Sequence, residues 1–269
     1  MTMCVVALSW QPWTPGSAPL PDAPPPLVVI ANRDEYHGRA TAPLAELPEA
    51  PGLLGGRDLE KGGGWLWARA SGRLAAVTNV RQGPGPAPAA PRSRGQLVAQ
   101  FAVEEQPVTE CLQALAATAH LHGPFNLLLC DGGALGYACN VPAYHWRLLP
   151  PGVIAISNGP LDTPWIKAQR LTSALTTWLG SPPATARAQE PLLRALTDED
   201  EVPDDALPDT GVGLALERLL APPFIRGERY GTRSSSVVMM GSRELRFAER
   251  RYGPGGAIAG DTQLVLPTP

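Results

Sequence analysis

No continuous apolar run in this 269-residue chain reaches membrane-spanning length, and residues 1–20 lack the basic start, apolar middle and small-residue cleavage site of a secretory signal. The expectation is a cytoplasmic protein with no transmembrane segment. Cysteine is scarce. Cys4, Cys111, Cys130 and Cys139 form no CxxC pair, which argues against a zinc knuckle and a disulfide framework, and no metal site is expected. Positive charge is in short supply too. With 22 Lys and Arg against 25 Asp and Glu, scattered along the chain, there is no basic field for nucleic acid. Only four histidines occur, and none has the context of a cysteine-protease base.

Proline and glycine, by contrast, are abundant. Their 31 and 28 copies imply many ordered loops and a flexible insertion, in a chain whose length permits two domains but fits one, spanning 1–269. Cys4–Ser9 and Leu27–Ala31 read as apolar strands of a hairpin, with the Pro-rich segment Pro12–Pro26 as its solvated tip. After Gly62-Gly63-Gly64, the runs Trp65–Ala70 and Leu74–Asn79 flank Ser71-Gly72-Arg73 as a second hairpin. Beyond the Pro/Ala/Gly stretch Gly83–Pro91, Arg94–Val103 and Val108–His120 have helical spacing. Phe125–Asp131, Ala134–Cys139, His145–Leu149 and Val153–Ser157 read as one antiparallel meander. A helix is predicted from Pro164, capped by Thr163, with shorter helical pieces at Leu192–Leu196 and Leu214–Leu220. Ser235–Met240, Glu244–Arg250 and Gln263–Leu266 return to strand character. Strands that open and close the chain around central helices predict sheets packed against helices.

The candidate chemistry begins at Cys4. Initiation at Met3 and removal of that methionine would give Cys4 a free α-amine, whose pKa of about 8 suits it to take the thiol proton. Removal of Met1 alone would instead expose Thr2 and leave Cys4 in peptide linkage. The competing reading is a buried strand cysteine. Asn32-Arg33-Asp34-Glu35 follows an apolar strand, where a chain leaving the core presents polar groups to a cleft. Arg33 can hold a thiolate or oxyanion, and Asp34 can fix the terminal ammonium or orient Arg33; the alternative is a turn with a surface ion pair. Asn79 and Asn158 each follow an apolar strand and can donate to an acyl-transfer oxyanion, although such residues are also common in turns. Tyr230-Gly231-Thr232-Arg233 offers a second cation, and its glycine pattern is not that of a phosphate loop.

Together with Met3-Cys4, the Asn32-Arg33-Asp34-Glu35 motif resembles the start of the NRDE family, also called transport and Golgi organisation protein 2 homologues. Gly63-Gly64-Trp65-Leu66, Leu74–Asn79, Gly123–Leu127, Ser157-Asn158, Thr163-Pro164-Trp165 with Lys167, and Tyr230–Arg233 agree in order, so the resemblance covers nearly the whole chain. It implies an α+β fold, the four-layer αββα sandwich of N-terminal nucleophile hydrolases with mostly antiparallel sheets. A weaker similarity to cysteine amidases of the bile-salt hydrolase and penicillin acylase type implies a nucleophile at Cys4, with Arg33 and Asp34 beside it. It further implies an oxyanion hole of Asn79 and Asn158, and a charge network completed by Arg233.

The activity so implied is hydrolysis of a nonpeptide C–N amide bond in a small molecule, with no cofactor required. The family's implied roles also support a carrier of haem or of an acyl-CoA-like or other lipid ligand in the same cleft. Asn32, Glu35, His37, Trp65 and Tyr230 are the candidate binding residues. For haem as a transported ligand, Cys4 and His37 are the candidate axial groups, and no CxxCH attachment motif is present.

Overall fold

The computed structural model describes residues 3–14, 16, 23–83, 89–181 and 188–269. In chain order its first six strands are β1 (Met3–Trp10), β2 (Leu27–Tyr36), β3 (Thr41–Glu46), β4 (Leu53–Asp58), β5 (Leu66–Arg69) and β6 (Arg73–Asn79). Helices α1 (Gly95–Val103) and α2 (Val108–Leu115) follow, then β7 (Phe125–Cys130), β8 (Leu135–Cys139), β9 (His145–Leu148) and β10 (Gly152–Ile156). Helices α3 (Ile166–Leu179), α4 (Glu190–Ala195) and α5 (Leu214–Leu220) lead to β11 (Tyr230–Met240), β12 (Glu244–Tyr252) and β13 (Ile258–Pro267).

The strands form two sheets whose ladders are all antiparallel among the described residues. One runs β10-β1-β2-β11-β12-β13 and the other β3-β4-β5-β6-β7-β8-β9. Period-2 alternation gives each central strand two apolar faces. Val6, Leu8, Val29 and Ala31 meet Leu66, Ala68, Leu74 and Ala76 between the sheets. The intervening Val5, Ala7, Val28 and Ile30 meet Leu171, Leu175 and Leu192 of α3 and α4. On the outer face of the second sheet, Trp67, Val77 and Leu127 pack against Val98 and Phe101 of α1 and Val108 and Leu112 of α2. The layers are therefore helix, sheet, sheet, helix, an α+β sandwich.

Several boundaries differ from the sequence reading. The strand ending at Ala31 continues to Tyr36, because β11 pairs with it throughout and carries Asn32–Glu35 inside the sheet. For the same reason Tyr230–Arg233 lies within β11 and does not precede it. The expected four-strand meander loses its last member: β10 pairs with β1 in the other sheet. Pro150 and Pro151, which lack the N–H needed to extend a ladder, separate it from β9. Thr163 is not the cap of α3 and Pro164 is not its first residue; the helix begins at Ile166 after Trp165. A turn takes their place, in which the Thr163 and Trp165 N–H groups donate to Pro160 O and Thr163 O. Strands β3 and β4 were not anticipated, and α2 ends at Leu115, before a 3₁₀ turn at Ala119–Leu121. Parts of the Pro12–Pro26 tip and of Gly83–Pro91, together with Met1 and Thr2, lie outside the described residues.

Trp67 fixes the entrance to the second sheet. It is fully buried and donates its indole N–H to Gly56 O at 2.7 Å. The ring occupies the space that a Cβ at Gly55 or Gly64 would need. Gly55→Ala is therefore expected to lower the unfolding free energy by about 3 kcal/mol, as overpacking of a rigid core does. Urea denaturation measures this, and an unchanged midpoint would show that the indole can move aside.

Candidate active site

A cleft of ≈ 490 Å³ opens between the sheets at the end where β1 begins and β6 ends. Strand parity decides what faces it. On β1 and β2, Val6, Leu8, Val29 and Ala31 point between the sheets, and the same alternation carried onward brings Cys4, Arg33 and Glu35 to the cleft. Cys4 and Arg33 are cross-strand partners. The facing sheet supplies Thr78 and Asn79 from the end of β6, with Trp65 beside them.

The other half of the four-residue motif faces the helices. Asn32 is fully buried and acts as a clamp: its Nδ2 donates to Leu196 O (2.7 Å) and Pro223 O (2.8 Å), and its Oδ1 accepts from Ser235 Oγ (2.6 Å). Asp34 Oδ1 accepts from Thr232 Oγ1 at 2.7 Å, while Oδ2 has no hydrogen-bond partner among the described residues. Burial pushes Asp34 up to about 6, against the pull of Lys167. Lys167, on the inward face of α3, is one of only two lysines in the chain, with Lys61. Among the described residues its Nζ has no hydrogen-bond partner, and burial pushes it down to about 8 against the charge of Asp34. Lysine tolerates such a shift; arginine would stay charged.

At the cleft, Cys4 is 3% exposed and its thiol is pushed up to about 12. Burial is the main cause and the Asp34 charge adds to it, while Arg33 and a backbone hydrogen bond from Asp34 oppose. Arg33 Nη2 lies 3.8 Å from Glu35 Oε2, and Arg33 Nη1 is buried without a hydrogen-bond partner among the described residues. Glu35 also receives the Tyr36 N–H and lies 3.6 Å from Arg39 Nε. Asn158 sits behind the cleft wall, where its Nδ2 donates to Asn79 O (3.0 Å) and Asn79 Oδ1 (2.8 Å). That contact occupies the Asn79 side-chain oxygen and fixes the orientation of its amide.

Of the predicted residues, Cys4, Arg33, Glu35, Trp65 and Asn79 share the cleft. Asn32, Asp34 and Asn158 lie immediately behind it. Arg233, His37 and Tyr230 do not line it. Arg233 Nη1 donates to the carbonyls of Tyr36, His37 and Arg39, tying down the turn after β2. Burial and then the Arg33 charge hold its guanidinium below the usual range. His37 Nε2 lies 3.1 Å from Gly227 O, and burial holds its ring below the usual value. Tyr230 packs edge-on against Tyr36.

Sequence reasoning gave no role to Lys167 and missed Arg94 and the buried network behind Asn79. Arg94 lines the cleft, donates to Pro124 O at 3.0 Å, and is lowered chiefly by burial while Cys4 and Glu35 oppose. In the network, Asn126 Nδ2 donates to Thr78 Oγ1, Ser157 O and Gly159 O, and Tyr137 donates to Asn126 Oδ1. Ser157 Oγ donates to Cys4 O at 3.1 Å, so this network also holds the strand that carries the thiol. One signal pointed to Lys167: a lone lysine beside the apolar helical stripe Ala168, Leu171, Leu175. Among the described residues no cluster of three His, Cys, Asp or Glu is set to hold a metal.

Residues 3–254 match the family described as Transport and Golgi organisation 2. The chain belongs to this family. The Bos taurus Transport and Golgi organization protein 2 homolog is 31% identical over 264 residues, covering 92% of each chain. The family's Drosophila melanogaster protein is 27% identical over 250 residues, 83% of this chain and 85% of its own. A solved Caenorhabditis elegans N-acylethanolamine-hydrolyzing acid amidase ortholog superposes with a TM-score of 0.50 at 12% identity, covering 88% and 92% of the two chains. That likeness shows the N-terminal nucleophile hydrolase fold for this family member. Among the described residues, no helix is long and apolar enough to cross a membrane.

The Asp34–Lys167 pair predicts a pH signature. Asp34 lies above its ordinary 3.8, so its contribution to stability is complete below that value and is lost as pH rises towards about 6. Lys167 lies below its ordinary 10.5, so its contribution is present above that value and is lost as pH falls through about 8. Stability should therefore be lowest between the two. Lys167→Met should abolish the alkaline rise and shift the Asp34 loss to higher pH, read by urea unfolding from about pH 4 to about pH 10. A profile identical to that of the unsubstituted protein would remove this pair as its source.

Proposed function

We propose that this chain is a cysteine amidase that hydrolyses a nonpeptide C–N amide bond by acyl transfer through Cys4. The observation that carries the reading is the convergence in one cleft of Cys4, Asn79 and Arg33, with Asn158 donating to the Asn79 side-chain oxygen from behind. With Met3 attached the thiol is held near 12 and the Cys4 nitrogen is a peptide nitrogen, so neither nucleophile nor base is ready. Removal of Met3 supplies an α-amine of pKa about 8.

That amine takes the thiol proton as Sγ bonds to the substrate carbonyl carbon, and Asn79 donates to the oxyanion. Collapse breaks the C–N bond, the proton passes to the leaving nitrogen, and a thioester remains. Water then attacks the thioester carbonyl and returns a proton to sulfur, releasing the acid. Arg33 and Asp34 set the charge around Cys4, Asn158 orients Asn79, and Arg233 holds the turn after β2. The fold neighbour makes N-acyl amides the first substrates to screen. One domain in the cytoplasm completes this reading, and the four free cysteines suit a reducing compartment.

A second reading is favoured by the high thiol pKa: with Cys4 in peptide linkage, the same cleft carries an acyl-CoA-like, lipid or haem ligand without turning it over. His37 is not in the cleft, so haem would there have Cys4 alone of the two candidate axial groups.

The two readings divide on alkylation and mass. At pH 8 Cys4 should resist iodoacetamide in the protein that retains Met3. A protein cleaved from a leader so that Cys4 is first should react readily and gain an acyl mass with N-acyl amides. Cys4→Ser in that protein should lose turnover by more than about a hundredfold. If the Cys4-first protein forms no acyl adduct but both forms bind the ligand, the carrier reading replaces the amidase.

A further inference from the structure

The chain as a whole is acidic, with a formal charge of -3, but its cleft is not. Arg33, Arg39, Arg57, Lys61, Arg92 and Arg94 line it, against only Glu35 and Asp58. Carboxylates engage some of these cations: Arg33 pairs with Glu35, Arg39 with Asp58, and Arg57 with Glu49. Lys61 and Arg92 have no ion pair among the described residues. Arg94 donates to a carbonyl, and Arg33, 5% exposed, keeps one unpartnered nitrogen.

The cations sit at two levels. Arg33 and Arg94 lie near Cys4, whereas Lys61 and Arg92 are exposed at the mouth. Their backbones are fixed: Lys61 N–H donates to Asp58 Oδ1, and Arg92 N–H to Leu121 O. Like charges gathered in a cleft repel one another and focus a positive potential that an anionic ligand relieves. Trp65, Val77 and Pro91 supply apolar wall in the same space.

We infer that the ligand of this cleft is an N-acyl amide bearing an oxyanion, a carboxylate or phosphate, that Lys61 and Arg92 bind at the mouth while the acyl chain lies on Trp65 and Val77. Placing the amide at Cys4 rests on the amidase reading; selection for the anion is read by binding alone.

The test uses full-length protein carrying Cys4→Ala, so that no probe is consumed, and calorimetric titration. N-octanoylglycine should bind about tenfold or more tightly than its neutral counterpart N-octanoylglycinamide at low salt, with the gap narrowing at high salt. The double variant K61Q/R92Q, altered only at exposed positions, should close most of the gap and leave glycinamide binding unchanged. N-octanoyl-O-phosphoethanolamine as a third probe tells phosphate from carboxylate by which anion binds more tightly. Equal affinity for charged and neutral probes, a gap untouched by K61Q/R92Q, or no binding of either anion would overturn the inference. Turnover of neutral amides without preference would sink it and leave the amidase standing. Anion-selective binding without turnover by the Cys4-first protein would do the reverse.

Discussion

Strand β2 is covered on both sides, by the second sheet and by helices α3 and α4, while its last residues include a carboxamide, a guanidinium and two carboxylates. A buried strand cannot turn such groups to solvent, so each needs a partner within the fold. Alternation along the strand sorts them by side, with Arg33 and Glu35 facing the cleft and Asn32 and Asp34 facing the helices. Asn32 uses three hydrogen bonds to hold the ends of two loops against the sheet. Asp34 meets Thr232 from the neighbouring strand and the charge of Lys167 from the helix layer. The position of the cleft follows from this arrangement, since Cys4 is the residue that β1 places opposite Arg33.

The sheet is thin enough for its two faces to interact electrostatically. The Asp34 charge raises the Cys4 thiol although the two side chains point to opposite sides, and Lys167 feels Cys4 as well as Asp34. The protonation state behind the sheet thus bears on the Cys4 thiol in front of it. Asn158 and Asn126 act through hydrogen bonds in a comparable way, fixing one amide and one strand from behind the cleft.

The cleft joins an apolar wall to surplus positive charge in a chain that is acidic overall. Ion pairs at the rim involve Arg39 and Arg57, while Lys61 and Arg92 have no ion pair among the described residues. Charge placed in this way attracts and orients a ligand more than it stabilises the fold.

Local sequence was enough for the strand cores, for the helical stripes of α1, α3 and α5, and for the ordered motifs that mark the family. Each of these is set by periodicity or by a short string of neighbours. It was also enough to nominate Cys4, Arg33 and Asn79, which do share the cleft. The tertiary structure alone decided that Asn32–Glu35 lie within a strand, because the pairing of β2 with β1 on one side and β11 on the other supplies their backbone partners. It alone sent β10 to the other sheet and left Arg233 outside the cleft. Arg94, Lys167 and Asn126 acquired their roles in the same way. Their meaning comes from groups far along the chain that two packed sheets bring together, and no local pattern records such a meeting.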